Sequence, residues 1–173
     1  RQGQLSKQVT DTTAQKQLDD SIYGIEKKPF PYLLCVTNML LHDIEVPNIY
    51  HMNSLKHNLL DYTDDDKFDV ILMNPPYGGH EDKSIQNFFP DDLTSSETAD
   101  LFMSVIMYRL KKGGRAAVIL PDGFLFGTDN AKVAIKKKLF SECNVHTIIR
   151  MPHSVFAPYT SITTNILFFD RTG

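Results

Sequence analysis

The sequence contains no tryptophan and only two cysteines among its 173 residues. Cys35 and Cys143 lie far apart and form no Cys-x-x-Cys motif, which argues against a disulfide framework and against a cysteine-based metal site. The six histidines are scattered, without the spacing of zinc ligands. We therefore expect two reduced thiols in the core and no bound metal.

Long apolar runs and an excess of basic residues are also missing. No segment has the roughly 20 apolar residues of a membrane span, and no signal-peptide pattern is present, so we expect a cytoplasmic protein without membrane contacts. A protein that grips duplex DNA alone normally has a basic face, whereas the net charge here is −3. If this chain acts on DNA, a partner must read the base sequence.

The order of the predicted elements indicates an α/β fold with a mostly parallel sheet. Residues 1–20 are polar and are interpreted as a helix tail or linker, whereas 21–173 can form one domain with a core. The last strand is predicted to be antiparallel at the sheet edge, and Gly113-Gly114 to stop a helix. The predicted strands are 21–26, 49–55, 68–73, 115–120, 145–151 and 161–170, and the predicted helices are 29–43, 98–110 and 130–140.

Asn74-Pro75-Pro76-Tyr77 is the most informative stretch, because it closes the apolar strand predicted at 68–73. Two successive prolines cannot continue a central strand, and the carboxyl ends of strands in open α/β sheets are where ligands bind. The Asn74 side-chain carbonyl and the Pro75 backbone carbonyl could together accept hydrogen bonds from one amino group, while Tyr77 offers a face for stacking. The alternative interpretation is a simple turn.

This motif resembles the catalytic motif of S-adenosylmethionine-dependent amino methyltransferases, chiefly the N6-adenine DNA enzymes. The runs 23–29, 33–42 and 110–121 resemble the modification subunit of type I restriction-modification systems over almost the whole chain. The resemblance implies a Rossmann-like methyltransferase sheet at 21–173 and catalytic roles for Asn74, Pro75, Pro76 and Tyr77. It also implies S-adenosylmethionine as cofactor, adenine in DNA as substrate, and specificity and restriction subunits as partners.

Cofactor-binding residues are expected after the first two strands and at Asn74. Glu26 ends the first strand, where an acid can accept hydrogen bonds from ribose hydroxyls; a surface glutamate near a helix start is the alternative. The resemblance places Asn53 and Ser54 near the cofactor adenine, although a turn-forming Asn53 explains the sequence nearly as well. The family's glycine-rich loop should precede Glu26, but Gly3 is the only glycine in residues 1–21. We therefore expect a fragment whose sheet is incomplete on its N-terminal side.

The polar segment 80–96 follows Tyr77 directly and is long for a loop in a compact domain. It could fold over a flipped base, with Phe88 or Phe89 as a second stacking wall, or it could be a disordered insertion. Phe124, Phe126 and 153–160 are weaker candidates for the same base pocket. Two other functions remain open: a non-catalytic assembly piece of a restriction-modification complex, and a methyltransferase acting on rRNA or on protein glutamine.

Overall fold

A computed structural model describes residues 11–173, which belong to two compact units that divide after Ser54. The sequence had predicted a single domain from residue 21. Within the polar N-terminal segment, α1 (Thr12–Asp19) is capped by Asp11, whose carboxylate accepts the Ala14 N–H at 2.9 Å. Residues 1–10 of the predicted helix tail lie outside the described part of the chain.

The first unit contains a pair of parallel strands joined through a helix. Its elements after α1 are β1 (Tyr23–Glu26), α2 (Pro29–Leu41) and β2 (Asn48–His51). Pro29 occupies the first turn of α2, where its missing N–H would have had no partner in the helix. In the parallel register Glu26 lies beside His51, so both strands end at the same edge.

The second unit is built on a four-stranded sheet in the order β3-β4-β6-β5. The strands β3 and β4 run parallel, as the sequence predicted, whereas β6 is antiparallel to both of its neighbours. The α/β class is therefore confirmed, with mixed rather than mostly parallel pairing. The elements are β3 (Phe68–Met73), α3 (Lys83–Gln86), α4 (Thr98–Arg109), β4 (Leu110–Pro121), α5 (Asp122–Phe126), α6 (Asn130–Glu142), β5 (Cys143–Arg150) and β6 (Thr164–Arg171).

The position predicted for the last strand is wrong, because β6 lies between β4 and β5 and not at the edge. Alternate residues of β6 face the core, which is consistent with a strand inside the sheet. Leu167 and Phe169 are almost fully buried on one face, in register with Val118 and Ala116 of β4. An antiparallel pair on each side satisfies the backbone of β6 along its length.

Gly113 and Gly114 do not stop a helix, as the sequence had suggested. Helix α4 passes directly into β4, and both glycines lie inside that strand, Gly113 with φ +78°. Phe68 pairs with Leu110 but Val70 pairs with Arg115, so β4 carries extra residues opposite Asp69. The glycines thus form a bulge, a place where a positive φ is common.

The main core lies between one face of this sheet and the helices α4, α5 and α6. Cys143 belongs to it, and burial raises the pKa of its thiol to about 11, so it stays protonated. Cys35 is half-buried in the first unit. Within residues 11–173, no helix has the length and apolar character needed to cross a membrane. The core residues are Leu93, Met103, Ile106, Met107, Leu110, Ala116, Val118, Leu120, Phe124, Ile135, Leu139, Cys143, Leu167 and Phe169.

Candidate active site

Asn74-Pro75-Pro76-Tyr77 leaves the sheet immediately after Met73, the last residue of β3. Met73 is paired with Val118, so the motif emerges at the edge where β4 also ends. Pro75 is buried, whereas Asn74 is exposed and Tyr77 is half-buried. The proline anchors the turn and leaves the Asn74 amide at the surface, at the sheet edge where ligands bind in α/β folds.

Tyr77 orients that amide directly. Its hydroxyl donates a hydrogen bond to Asn74 Oδ1 and also lies 3.4 Å from the Ile119 carbonyl oxygen of β4. Burial raises the pKa of Tyr77 to about 12, so the hydroxyl keeps its proton and remains a donor at neutral pH. The aromatic residue therefore does more than offer a ring, because it also fixes the direction of the Asn74 carbonyl.

The residues after Tyr77 reverse the chain. Gly78 has φ +67°, a conformation that side chains with a Cβ rarely adopt. Gly79 has no room for a side chain, since a Cβ there would lie 2.7 Å from Thr98 Oγ1. The reversal brings 79–81 against 96–98, with Thr98 N–H donating to the Gly79 carbonyl at 2.9 Å and Glu81 N–H to the Ser96 carbonyl at 3.0 Å.

A second polar group at this sheet edge escaped the sequence analysis. Asp122 follows Pro121 at the end of β4 and accepts hydrogen bonds from Asn165 at 2.7 Å and from Arg150 at 3.2 and 3.0 Å. The hydrogen bond from Asn165, with Arg150 adding to it, holds the pKa of this half-buried carboxyl below its usual range. A polar residue beside a proline at a strand end, as in Asn74-Pro75, was the signal that could have identified it.

The predicted cofactor residues of the first unit follow its two strands. Glu26 is half-buried at the end of β1, and its Oε1 accepts the Lys28 N–H at 2.7 Å, just before α2 begins. Asn53 and Ser54 are half-buried and are the second and third residues after β2. The parallel register places the ends of both strands side by side. A carboxylate beside an amide and a hydroxyl suits a nucleoside, whose ribose and base offer hydroxyl and amino groups.

The segment 80–96 is folded and is not an open loop. It contains α3 and a short 3-10 turn, and Ile85 and Phe89 are buried against Leu59 and Leu101 in a second hydrophobic cluster. Phe89 is only 5% exposed, so its ring is part of the core and has no face for a base. Phe88 is half-buried against the same cluster, so part of its ring stays accessible and its stacking role remains a prediction.

The weaker candidates for the base pocket divide into buried and exposed aromatic residues. Phe124 is 1% exposed and belongs to the main core, which explains it without a substrate. Phe126 and Tyr159 are 71% and 93% exposed, and Tyr159 follows a short 3-10 turn in 153–160. Sequence reasoning could not separate buried from exposed aromatic residues in segments without a clear periodicity.

Comparison with known proteins relates this geometry to one family. The model of the N-6 DNA methylase family matches residues 4–173. The chain is 53% identical over 164 residues to the type I restriction enzyme EcoEI methylase subunit of Escherichia coli, covering 94% of this chain and 33% of that protein. The chain thus spans about a third of the length of this curated relative.

Solved structures show the same likeness. The EcoKI type I restriction enzyme M protein superposes with a TM-score of 0.83 at 30% identity, over 98% of this chain and 35% of that one. A Listeria monocytogenes protein assigned to the class I S-adenosylmethionine-dependent methyltransferases has a TM-score of 0.71 at 21% identity, over 87% of this chain and 44% of that one. At that identity the second likeness shows the fold alone.

Proposed function

This chain belongs to the N-6 DNA methylase family, and on that premise we propose that it carries the adenine-methylating site of a type I restriction-modification subunit. The substrate is the N6 amino group of adenine in DNA, and the methyl donor is S-adenosylmethionine. The observation that supports this most directly is the Asn74 amide at the end of β3, oriented by the Tyr77 hydroxyl.

Asn74 and Pro75 supply the chemistry as hydrogen-bond acceptors. The N6 amine of adenine is conjugated with its ring and is a weak nucleophile. Two carbonyl oxygens, Asn74 Oδ1 and the Pro75 main-chain oxygen, hold its two hydrogens and favour a tetrahedral nitrogen whose lone pair is free to attack. Methyl transfer would replace the sulfonium S–CH3 bond of the donor with the new N6–CH3 bond, leaving a neutral thioether, and one N6 proton would pass to water. Preorganised acceptors of this kind act on charge that develops in the transition state.

Tyr77 binds the base by stacking and positions the amide. Adenine inside a duplex cannot present its amine, so the nucleotide must flip out of the helix before reaction. A half-buried ring beside Asn74 is suited to stack on the extruded base. Its donated hydrogen bond keeps Asn74 Oδ1 directed before the base arrives. Pro76 limits the conformations of the turn.

The residues of the first unit fit the cofactor's nucleoside part. Glu26 would hold the ribose hydroxyls through its carboxylate, and Asn53 and Ser54 would contact the adenine. Asn74 is the remaining residue proposed to contact the cofactor. When bound, S-adenosylmethionine supplies an electrophilic sulfonium methyl group. The engagement of Glu26 Oε1 by Lys28 N–H fixes the carboxylate in one orientation, ready to accept from a diol.

Specificity and restriction subunits are the proposed partners. The net charge of −3 supports a division of labour in which another subunit reads the DNA sequence. The chain's relatives are named as subunits of type I restriction enzymes, which agrees with this proposal.

The test is a methyl-transfer assay on the full-length protein with its partner subunits, offering duplex DNA, rRNA and a glutamine peptide in parallel. We expect N6-methyladenine in the DNA alone, identified by mass spectrometry of the nucleosides. Asn74→Ala should lower kcat by about a hundredfold or more, because removing one preorganised acceptor costs on the order of 3 kcal/mol. Its affinity for S-adenosylmethionine should change much less.

Other outcomes of the assay would change the substrate, the role of the chain or the role of Asn74. Methylation of rRNA or of the peptide in place of DNA would change the substrate and keep the site. An assembled complex that methylates none of the three would favour the non-catalytic assembly role. Normal turnover by Asn74→Ala would remove this residue from the mechanism.

A further inference from the structure

Lys132 is a buried cation in the first turn of α6, only 5% exposed. Its ammonium nitrogen lies 2.7 Å from Glu97 Oε1, 3.1 Å from Asp100 Oδ2 and 3.2 Å from Asp129 Oδ2. Burial disfavours the charge of Lys132, but the hydrogen bonds that its ammonium donates to Glu97 and Asp100 outweigh this effect, so the pKa of Lys132 is raised and the side chain stays protonated. One cation thus joins the first turns of α4 and α6 with the residue that precedes α4.

The carboxylates around Lys132 outnumber it. Asp100 is fully buried, and within residues 11–173 its Oδ1 has no hydrogen-bond partner, while Oδ2 also accepts the Ser95 hydroxyl at 2.8 Å. Removing one partner of a buried ion pair leaves the other charge uncompensated. Burial raises the pKa of Asp100, so without Lys132 this carboxyl would take up a proton, whereas Glu97 and Asp129 would lose the cation that holds them together. Glu97 is the one best able to move away, because its side chain is 48% exposed and Asp129 is held at the start of α6 by the Lys132 N–H at 3.0 Å.

Glu97 connects this cluster to the catalytic motif. The backbone of Glu97 forms an isolated antiparallel β-bridge with the backbone of His80. On either side of it, the Thr98 N–H donates to the Gly79 carbonyl and the Glu81 N–H donates to the Ser96 carbonyl. Gly79 is separated from Tyr77 by one residue, so the 96–98 segment supports the chain just after the Asn74–Tyr77 motif. A displacement of Glu97 therefore acts on the backbone that carries the Tyr77 ring and hydroxyl.

We propose that Lys132 is a positioning residue for the Asn74–Tyr77 motif, acting through Glu97 and the backbone bridge between 79–81 and 96–98. This inference rests on the proposed function for its catalytic consequence, but not for its structural one. Lys132 touches neither Asn74 nor Tyr77 in any hydrogen bond of the described residues, so its effect must pass through that bridge.

The structural consequence can be measured without activity, by hydrogen exchange on the full-length protein. Lys132→Met should speed exchange of the Glu81 and Thr98 amides at least tenfold, while amides of β4 and β6 keep their protection. Lys137→Met is the matched control, since Lys137 is exposed on the same helix, and it should change neither. If Lys132→Met does not fold, Glu97→Gln provides the same measurement, because its half-exposed side chain can lose its charge with little risk to folding.

The catalytic consequence is read from steady-state kinetics of the assembled enzyme. Lys132→Met should lower kcat at least tenfold and leave the Kd for S-adenosylmethionine within about twofold, and Glu97→Gln should lower kcat by less. The double variant should be no worse than Lys132→Met alone, because both act through one contact. Unchanged exchange at Glu81 and Thr98, or a kcat within twofold of wild type in both single variants, would overturn the proposal. An inactive wild-type enzyme with faster exchange in the variant would instead count against the proposed function alone.

Discussion

The Asn74 side chain is exposed, yet its carbonyl is already directed by a neighbour. Burial raises the pKa of the Tyr77 phenol to about 12, so at neutral pH the hydroxyl keeps its proton and donates it to Asn74 Oδ1. One aromatic side chain thereby combines two properties that the proposed base-modifying site would need, a stacking surface and a fixed hydrogen bond.

The two properties of Tyr77 can be separated by substitution. Tyr77→Phe keeps the ring and removes the hydrogen bond to Asn74, so we expect kcat to fall by less than about tenfold, in line with about 1 kcal/mol for one neutral hydrogen bond. Tyr77→Ala removes the ring as well and should cost about 1 to 3 kcal/mol more, the range for stacking one base. Single-turnover methylation rates distinguish the two; equal losses in both variants would contradict a stacking role.

Glu26 is tested at the level of cofactor affinity. Glu26→Ala should weaken binding of S-adenosylmethionine by about 1 to 3 kcal/mol, because charge-assisted hydrogen bonds to the ribose are lost. Isothermal calorimetry on the full-length protein measures this. Glu45→Ala, an exposed glutamate of the same unit, is the control and should bind normally. Equal affinity in both variants would make Glu26 a helix-start residue only.

Among the secondary-structure elements, β4 contains a bulge whose backbone leaves no room for a side chain at Gly114. A Cβ at Gly114 would lie 2.8 Å from the Lys111 carbonyl oxygen and 3.0 Å from that of Asp69. Both obstacles are backbone atoms, so the strand itself would have to move. The bulge precedes the part of β4 that pairs with β3 and leads to the candidate site.

Gly114→Ala should therefore destabilise the fold by about 1 to 3 kcal/mol, the usual cost of overpacking with a backbone shift. Gly123→Ala is the matched control, because nothing lies within 4 Å of its added methyl group and it sits in helix α5. Alanine is the better helix former, so stability there should be unchanged or slightly higher. Urea denaturation followed by circular dichroism compares them, and equal midpoints would show that β4 adapts freely.

At the scale of the whole molecule, charge sets what the chain can bind without help. A net charge of −3 gives little attraction for DNA phosphates, so we expect the isolated chain to bind duplex DNA weakly and without sequence preference. Fluorescence anisotropy across a salt series should give a shallow slope of log affinity against log salt. Sequence preference should appear when the proposed specificity subunit is added. A steep slope with sequence-specific binding by the chain alone would contradict this prediction.

Features that depend on local chemistry could be predicted from the amino-acid sequence. Residues 68–73 were predicted as a strand and are observed as β3 with the same bounds. The run is mostly apolar, and the two prolines that follow Asn74 prevent the strand from continuing. The Asn74–Tyr77 motif, the helix at Thr98 and the antiparallel last strand were also readable. The family resemblance was based on the Asn74–Tyr77 motif and on the runs 23–29, 33–42 and 110–121, and family membership is confirmed by the family match.

Tertiary structure decided whatever depends on partners distant in the sequence. Local sequence could not show that Gly113-Gly114 forms a bulge opposite Asp69, or that β6 lies inside the sheet, because both depend on strand pairing. Phe89 is a core residue, and Lys132, which the sequence analysis did not single out, is a buried ion. In each case the environment comes from segments more than ten residues away, such as Leu101 beside Phe89 and Asp100 beside Lys132. Burial and pairing are properties of the packed chain, so they emerge only when those segments meet.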